Sequence, residues 1–142
     1  MTLSNGKTLA ATIVGRDPTT DLAVLRVRAR GLRPAVFRTD LSALAAGDFV
    51  VAMGNPKILA HPVLSGQVTA FLHQVRYKGL CGVHDVIESN VALVHGNSGG
   101  PLVDALARVI GINVAELAGE KAAVTLPADL VIIVVKRLTA ST

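Results

Sequence analysis

Short runs of apolar and β-branched residues, separated by glycine, proline and polar turns, recur along the whole chain. Alternation within these runs predicts strands at residues 8–14, 21–28, 49–53, 63–71, 85–93, 102–103, 108–116 and 122–126. Residues 31–46 read as a connecting loop or a short helical turn. Only residues 127–138 suggest a helix, with a proline at the start and two basic residues near the end. Many short strands between frequent turns are typical of an all-β barrel or sandwich.

A row of arginines follows one face of the predicted strand at residues 21–28. Arg26, Arg28 and Arg30 are spaced by two, so their side chains share one side of an extended chain. With the net charge of +4, the row fits either a patch for an acidic partner or a solvated face that protects a sheet edge. The solvated face is the commoner case. Because no recognition helix, zinc motif or aromatic platform accompanies the row, we expect no nucleic-acid partner.

The composition narrows the class of protein further. The 142 residues suit one compact domain, and with 51% hydrophobic but only 3% aromatic residues the core must consist of aliphatic side chains. The mean hydropathy of +0.52 is high for a soluble monomer, which indicates a covered face or a missing partner segment. Cys81 is the single cysteine, so we expect neither an intrachain disulfide nor a metal or other cofactor. No secretory signal pattern opens the chain, and no apolar run is long enough to span a bilayer.

The strongest chemical signal is the stretch at residues 96–102, which reads Gly-Asn-Ser-Gly-Gly-Pro-Leu. A serine between glycines can occupy a tight loop with its hydroxyl exposed and successive backbone N–H groups directed into one concavity. Such a loop suits acyl transfer, because the hydroxyl attacks a carbonyl group and the N–H donors stabilise the oxyanion that forms. Ser98 is therefore the candidate nucleophile.

The order of the candidate catalytic residues separates the known serine-hydrolase arrangements. The α/β-hydrolase elbow needs its acid and histidine after the serine, but no histidine follows Ser98. The subtilisin order is formally available with Asp21 and one of His61, His73 or His84, although it requires an α/β fold. The order histidine, aspartate, serine fits an all-β fold, yet no histidine precedes Asp21.

Several blocks, in the same order along the chain, resemble the protease domain of the HtrA/Deg family of trypsin-like serine peptidases. The matching blocks are residues 3–7, 13–18, 20–25, 52–56, 65–70, 96–102 and 109–113. The resemblance implies an all-β, chymotrypsin-like double β-barrel with an incomplete first barrel and a short C-terminal helix. Residues 1–46 would then be the remnant of the first barrel plus a linker, and residues 47–142 the second barrel with its helix.

The resemblance also implies an activity and a setting. The function would be that of a serine endopeptidase that cleaves unfolded or extended polypeptides, so the expected partner is a polypeptide substrate. Members of the family are commonly trimeric, exported or membrane-tethered, and equipped with a PDZ domain. A homotrimer and an extracytoplasmic location are therefore expectations for this protein, although this chain contains neither a membrane segment nor a PDZ domain.

Site residues follow position by position from the resemblance. Ser98 matches the nucleophile and Asp21 the aspartate that orients the catalytic histidine. The residues that match the oxyanion hole are Gly96, Asn97 and Ser98. The residues that match the substrate pocket and the strand beside the substrate channel are Ala92, Leu93, Val94, Val114, Ala115, Ala122, Ala123 and Val124.

Two departures from the family pattern bear on activity. The catalytic histidine of the family precedes the stretch that begins at Leu3, so we expect this chain alone to be inactive. His95 occupies a position where the family commonly has proline. Either a longer protein supplies the histidine, or the chain is a pseudoprotease that binds peptides without cleaving them. We also expect the chain alone to be adhesive or oligomeric, because apolar residues such as Ile13, Leu22 and Val24 lack barrel partners.

Overall fold

A computed structural model describes residues 1–55, 63–77, 80–116 and 122–140. Eight strands precede one helix. The strands are β1 (Ala11–Asp17), β2 (Leu22–Val27), β3 (Phe49–Met53), β4 (Val63–Val75), β5 (His84–Ser89), β6 (Pro101–Asp104), β7 (Val109–Glu116) and β8 (Ala123–Pro127), and the helix is α1 (Ala128–Ala140). The prediction of an all-β chain with a short C-terminal helix is confirmed.

Six of the strands close into a barrel. Around its wall the order is β3, β4, β5, β8, β7 and β6, and every neighbouring pair is antiparallel. The pairing of β3 with β6 joins strands that are distant in sequence and closes the barrel. Strands β1 and β2 form a separate antiparallel hairpin.

Aliphatic side chains fill the barrel, as the composition predicts. Val50, Ile87, Leu102 and Ile110 come from four different strands and are fully buried in one cluster. Val50 alternates with more exposed neighbours along β3, whereas Val86, Val103 and Val109, which adjoin the other three residues, are buried as well. The barrel is thus packed with side chains, and chemistry must take place on its loops and edges.

Several element boundaries differ from the predicted ones. Strand β1 starts at Ala11 and continues through Gly15 to Asp17, with a bulge between Ile13 and Gly15. Strand β2 ends at Val27, β4 continues to Val75, and β5 ends at Ser89, so residues 90–93 belong to the following loop. Pro127 is the last residue of β8, paired with Gly111, and does not open the helix. At Gly15 and Pro127 the strand continues where the residue type suggests an end, because each residue contacts a distant element.

Helix α1 holds the β1–β2 hairpin. Gly15 lies so close to Leu138 that an added Cβ would approach its side chain to 3.1 Å. The buried carboxylate of Asp17 forms an ion pair with Arg137 at 2.9 Å and accepts a 2.8 Å hydrogen bond from the Thr20 hydroxyl. Burial raises the pKa of Asp17, but the Thr20 and Arg137 contacts and a neighbouring N–H outweigh it and lower the pKa.

The outer side of the same hairpin is apolar and uncovered. Ile13 is 53% exposed and Leu25 is 47% exposed, and these two residues are paired across β1 and β2. The predicted apolar surface is therefore present at Ile13, whereas Leu22 and Val24 are half-buried. Whether it makes the chain adhesive stays a prediction.

A second buried carboxylate, Asp104, ties the turn between β6 and β7 to the barrel. Its oxygens accept hydrogen bonds from the N–H groups of Leu106 and Arg108. They also form an ion pair with the Arg108 guanidinium at 2.8 Å. Arg38 lies 3.5 Å away on the other side. Burial raises the pKa of Asp104, but the contacts from Arg108 and Leu106 outweigh burial and hold the pKa below its usual value.

The lowered pKa of Asp104 predicts that the folded chain loses stability in acid. A carboxyl whose pKa is lower in the folded than in the unfolded chain stabilises the fold above the unfolded value of about 3.9, and that contribution is lost as the pH falls through the folded pKa. Asp104→Asn should lower the free energy of unfolding at neutral pH by about 1–3 kcal/mol and reduce its fall in acid. Urea unfolding at several pH values between neutral and about pH 2 measures the loss of stability at neutral pH and its smaller decrease in acid. The contribution of Asp104 is lost between its unfolded and folded pKa values.

The exposed Asp21 offers a matched control, because its carboxylate makes no hydrogen bond or ion pair among the described residues. Asp21→Asn should change the free energy of unfolding by less than about 0.5 kcal/mol at neutral pH, since asparagine tolerates the φ of 57° at this position. Equal losses of stability in the Asp104 and Asp21 variants would contradict the role assigned to Asp104.

Candidate active site

Ser98 lies on the loop that joins β5 to β6, and its side chain is exposed. Gly96 and Gly99 flank it with φ angles of 107° and 82°. These angles lie in the region that side chains with a Cβ rarely adopt, so both glycines are needed for the turn. The local sequence therefore presents the serine hydroxyl at the tip of a tight turn, as predicted.

Strand β7 anchors the loop on the far side of the serine. The Gly99 N–H donates to the Asn113 carbonyl at 2.8 Å, and the Asn113 N–H donates to the Gly100 carbonyl at 2.9 Å. The fully buried Asn113 side chain donates to the Pro101 carbonyl at 3.3 Å and accepts from the Thr125 hydroxyl at 2.8 Å. One asparagine thus fixes three consecutive residues after Ser98.

Asn97 fixes the part of the loop that precedes Ser98. Its N–H donates to the Val94 carbonyl at 3.0 Å, and its side-chain oxygen accepts from the Val94 N–H at 3.0 Å. The Asn97 side chain is fully buried. The backbone N–H of Asn97 is therefore occupied within the loop, which corrects the expectation that this residue contributes to the oxyanion hole.

The two residues that follow β3 contact the nucleophile loop. A Cβ on Gly54 would lie 2.6 Å from the Asn97 amide nitrogen, so only glycine allows this approach. The Asn55 N–H donates to the Gly96 carbonyl at 3.3 Å. The peptide between Gly96 and Asn97 is thus held at its C=O by Asn55 and at its N–H by Val94. Pro56, which completes this sequence block, lies outside the described residues.

Two backbone donors remain available. Within the described part of the chain, neither the Gly96 N–H nor the Ser98 N–H donates a hydrogen bond. They are two residues apart, and the Asn97 N–H between them is turned into the loop. This arrangement, with two free donors beside an exposed serine, can stabilise an oxyanion formed by attack of the Ser98 hydroxyl.

Asp21 lies at the turn before β2, apart from this network. It has a φ of 57°, and its side chain is exposed. In the described residues its carboxylate makes no hydrogen bond or ion pair, whereas the nearby Asp17 makes several. The structure therefore does not join Asp21 to Ser98 or to a histidine, and its triad role stays a prediction.

The histidines of the chain have other environments. The His73 ring contacts Asp85 at 3.2 Å, and the buried His84 ring contacts the Cys81 carbonyl at 2.7 Å. His95 is exposed at the start of the loop turn. His61 lies outside the described residues. None of the three described histidines is bonded to Ser98.

The predicted pocket residues separate into two groups. Ala92 is exposed, and Val94 and Val114 are half-buried, so these three present apolar surface near the loop. Leu93 is only 4% exposed and packs in the core cluster, so it does not line a surface pocket. The side chain of Ala115 lies outside the described part of the structure.

The strand order bears on Ala122, Ala123 and Val124, which were predicted to lie at the strand beside the substrate channel. Strand β8 pairs with β5 on one edge and with β7 on the other. Ala123 and Val124 are fully buried, and their backbone leaves no free edge for a peptide; Ala122 precedes the strand. In contrast, β6 pairs with β7 only as far as Ile112, so among the described residues the edge of residues 114–116 is unpaired on that side.

The sequence did not show which residues support the loop, although Gly54 and Asn113 lie in blocks that carry the family resemblance. Asn113, Thr125 and Gly54 make the contacts that hold Ser98, yet they lie on three other strands or strand ends. A buried polar residue within an apolar strand, such as Asn113, was the available signal. The described residues contain no group of three side chains arranged to hold a metal ion and no helix able to cross a bilayer.

Comparisons with known proteins agree with this geometry. Residues 1–112 match the family described as trypsin-like peptidase domain. Relatives include the mitochondrial serine protease HTRA2 of Drosophila pseudoobscura pseudoobscura, 39% identical over 113 residues that cover 78% of this chain and 26% of that protein. The periplasmic serine endoprotease DegP of Escherichia coli is 38% identical over 120 residues that cover 82% of this chain and 24% of that protein.

Solved structures also show similarity to HtrA-type proteases. The HtrA-type protease AlgW with a decapeptide superposes with a TM-score of 0.87 at 32% identity, over 96% of this chain and 42% of that one. This confirms the chymotrypsin-like fold. The chain spans about a quarter of the length of the curated relatives it matches.

Proposed function

The chain belongs to the trypsin-like serine peptidases of the HtrA type, and on this premise we propose that it carries the nucleophile and oxyanion hole of a serine endopeptidase. The observation that carries the proposal is the loop around Ser98. An exposed hydroxyl lies beside two unoccupied N–H donors, those of Gly96 and Ser98, on a loop bonded to β3 and β7. Such a preorganised pair of donors stabilises the charge that develops during acyl transfer.

In the proposed reaction the Ser98 oxygen attacks the carbonyl carbon of the peptide bond. Its proton passes to a histidine, the carbonyl oxygen becomes an oxyanion held by the Gly96 and Ser98 N–H groups, and the histidine then protonates the leaving amine. Water hydrolyses the acyl-enzyme by the same route. Asp21 would orient this histidine. We propose that the histidine comes from a segment outside these 142 residues, because the described His73 and His84 are engaged elsewhere.

Substrate recognition follows from the unpaired edge of β7. An extended polypeptide can pair by main-chain hydrogen bonds with residues 114–116, which continue directly from the Asn113 anchor of the nucleophile loop. Unfolded chains offer such extended backbone, so they are the proposed substrates. The titles of the AlgW structures, which include a decapeptide and a tripeptide, support peptide binding by this fold.

The apolar pocket predicts a preference for small or branched aliphatic residues before the cleaved bond. Ala92, Val94 and Val114 offer no carboxylate to an arginine or lysine side chain. Selectivity should be graded, since one methylene in such a pocket is worth only about 1–3 kcal/mol. A peptide-library digest with a form of the protein that includes the histidine measures this preference.

The control in that digest is Ser98→Ala, which should remove all cleavage. Cleavage that survives in the control would contradict the nucleophile assignment. A profile dominated by arginine or lysine would contradict the pocket assignment but leave the nucleophile intact.

A second candidate function is a pseudoprotease that binds peptides without cleaving them. The observation in its favour is that no described histidine lies bonded to Ser98 or Asp21. The coding DNA upstream of Met1 distinguishes the two. An in-frame segment that encodes further strands and a histidine supports the peptidase, and a stop codon there supports the pseudoprotease.

The setting of the protein is also a proposal. Relatives named as periplasmic support a location outside the cytoplasm, although a mitochondrial relative also matches. Assembly into trimers is proposed from the family resemblance. The exposed apolar pair Ile13 and Leu25 is compatible with contact to a further segment or subunit.

A further inference from the structure

A basic groove runs along the hairpin end of the molecule, away from the nucleophile loop. It is defined by Lys7, Arg26, Arg28 and Arg30, all of which are exposed. Two cavities of about 420 and 460 Å³ adjoin along it, and Arg28 lines both. None of residues 90–100 lines either cavity, so the groove is separate from the candidate active site.

The fold gives this groove a firm base. Arg26 is paired with Thr12 across β1 and β2, and the Thr12 hydroxyl donates to the Arg26 carbonyl at 3.4 Å. Lys7 is held by a small hairpin in which Thr2 pairs with Thr8. Arg26 therefore projects from paired backbone, the Lys7 carbonyl accepts a hydrogen bond from the Leu3 N–H at 2.9 Å, and Arg28 and Arg30 follow the end of β2 at Val27.

The groove has no counter-charge of its own. In the described residues, ion pairs form at Arg38, Arg108, Arg137 and His73, and none forms at a cation of the groove. No carboxylate lines either cavity. Four uncompensated cations produce a positive potential that attracts an anionic ligand, particularly within a concave surface.

The spacing of the cations indicates the shape of that ligand. Arg26 lies in β2, where alternate residues are about 6.6–6.8 Å apart, and Arg28 and Arg30 follow at every second residue after the strand ends at Val27. Acidic side chains at every second residue of a bound extended peptide would match this order. The remaining lining residues, among them Ala10 and Ala29, are small enough to admit a backbone. No aromatic side chain lines the cavities, which disfavours single-stranded nucleic acid because its bases bind by stacking.

We propose that the basic groove binds an extended polypeptide segment that carries aspartate or glutamate at alternate positions. The carboxylates pair with Arg26, Arg28 and Arg30, and Lys7 extends the site at one end. This inference does not depend on hydrolysis, so it can fail while the peptidase proposal holds, and the reverse.

Fluorescence anisotropy with short labelled peptides tests the proposal on the whole chain. A peptide of alternating glutamate and threonine should bind in low-salt buffer and weaken as salt screens the charges. A peptide with the same glutamates in one block should bind several-fold more weakly, because its carboxylates do not match the arginine spacing. A peptide with glutamine in place of glutamate should not bind.

Charge reversal locates the site. The double variant Arg28→Glu and Arg30→Glu should weaken binding about tenfold or more. The matched control Arg76→Glu and Lys136→Glu alters the net charge equally at exposed positions outside the groove and should alter affinity less than about twofold. Thermal unfolding verifies that both variants fold, and Arg28→Gln with Arg30→Gln replaces the reversal variant if it does not.

Four results would overturn the proposal. The first is no binding of the alternating peptide in low salt, and the second is equal weakening by the groove and control variants. The third is binding of single-stranded DNA or anionic lipid vesicles through Arg28 and Arg30 when the acidic peptide does not bind. The fourth is equal affinity for the alternating and block peptides, because the proposed ligand carries its acidic residues at alternate positions.

Discussion

The 142-residue chain alone should hydrolyse a peptide substrate at a rate indistinguishable from that of its Ser98→Ala variant. A serine hydroxyl is a weak nucleophile until a base removes its proton, and an aspartate such as Asp21 orients an imidazole but does not replace it. Loss of the histidine from a catalytic triad lowers kcat by about 10⁶, while binding and the oxyanion hole retain about 10³–10⁴ over water. A fluorogenic peptide with an aliphatic residue before the cleaved bond measures the rate.

A fluorophosphonate label provides an independent measure of Ser98 reactivity. Labelling of the chain alone should be slow, and a longer form that carries the histidine should label and cleave faster by several orders of magnitude. Clear turnover by the chain alone that vanishes in Ser98→Ala would show that one of its own histidines acts as the base. Alanine variants of His61, His73, His84 and His95 would then identify it. A well-folded longer form that neither labels nor cleaves would favour the pseudoprotease.

Gly100→Ala should destabilise the fold severely. An added Cβ at this position would collide with the carbonyl oxygen of Met53 and approach the Asn97 carbonyl to 3.0 Å. Both obstacles are backbone atoms that no rotamer change can move, so the loop and the end of β3 must separate. We expect a loss of about 3 kcal/mol or more in the free energy of unfolding, measured by urea denaturation.

Gly31→Ala separates this collision from the cost of backbone conformation. Gly31 has a φ of 73° and no heavy atom within 4 Å of an added Cβ, so its substitution should cost only about 1–2 kcal/mol. A Gly100→Ala variant as stable as the Gly31→Ala variant would show that the loop does not pack on β3 as described. Slower labelling of Ser98 in the folded Gly100→Ala protein would add that this packing positions the nucleophile.

Features that depend on local chemistry were predictable from the sequence. Strand β3 spans Phe49–Met53 as predicted, since apolar alternation and the Gly54 breaker act within a few residues. The turn around Ser98 was equally evident, because the φ angles of Gly96 and Gly99 are a local requirement. The all-β class follows from the same short-range pattern repeated along the chain.

Boundaries that depend on distant packing were not predictable. Strand β1 runs through Gly15 because Leu138, more than a hundred residues later, packs against that glycine. Pro127 completes β8 because its neighbour is Gly111. In each case the residue type alone suggested an interruption, and the contact across the fold determined the outcome.

The candidate site shows the same division. The sequence by itself determined that Ser98 would be an exposed serine in a glycine turn. Of the three arginines predicted to share one strand face, only Arg26 lies in β2, which ends at Val27. Only the tertiary structure decided that the Asn97 N–H is occupied, that β8 has no free edge and that Asn113 anchors the loop. The physical reason is that the strands that become neighbours determine which backbone N–H groups are hydrogen-bonded and which strand edges stay free. That order is set when β3 pairs with β6 to close the barrel, a contact that no local pattern specifies.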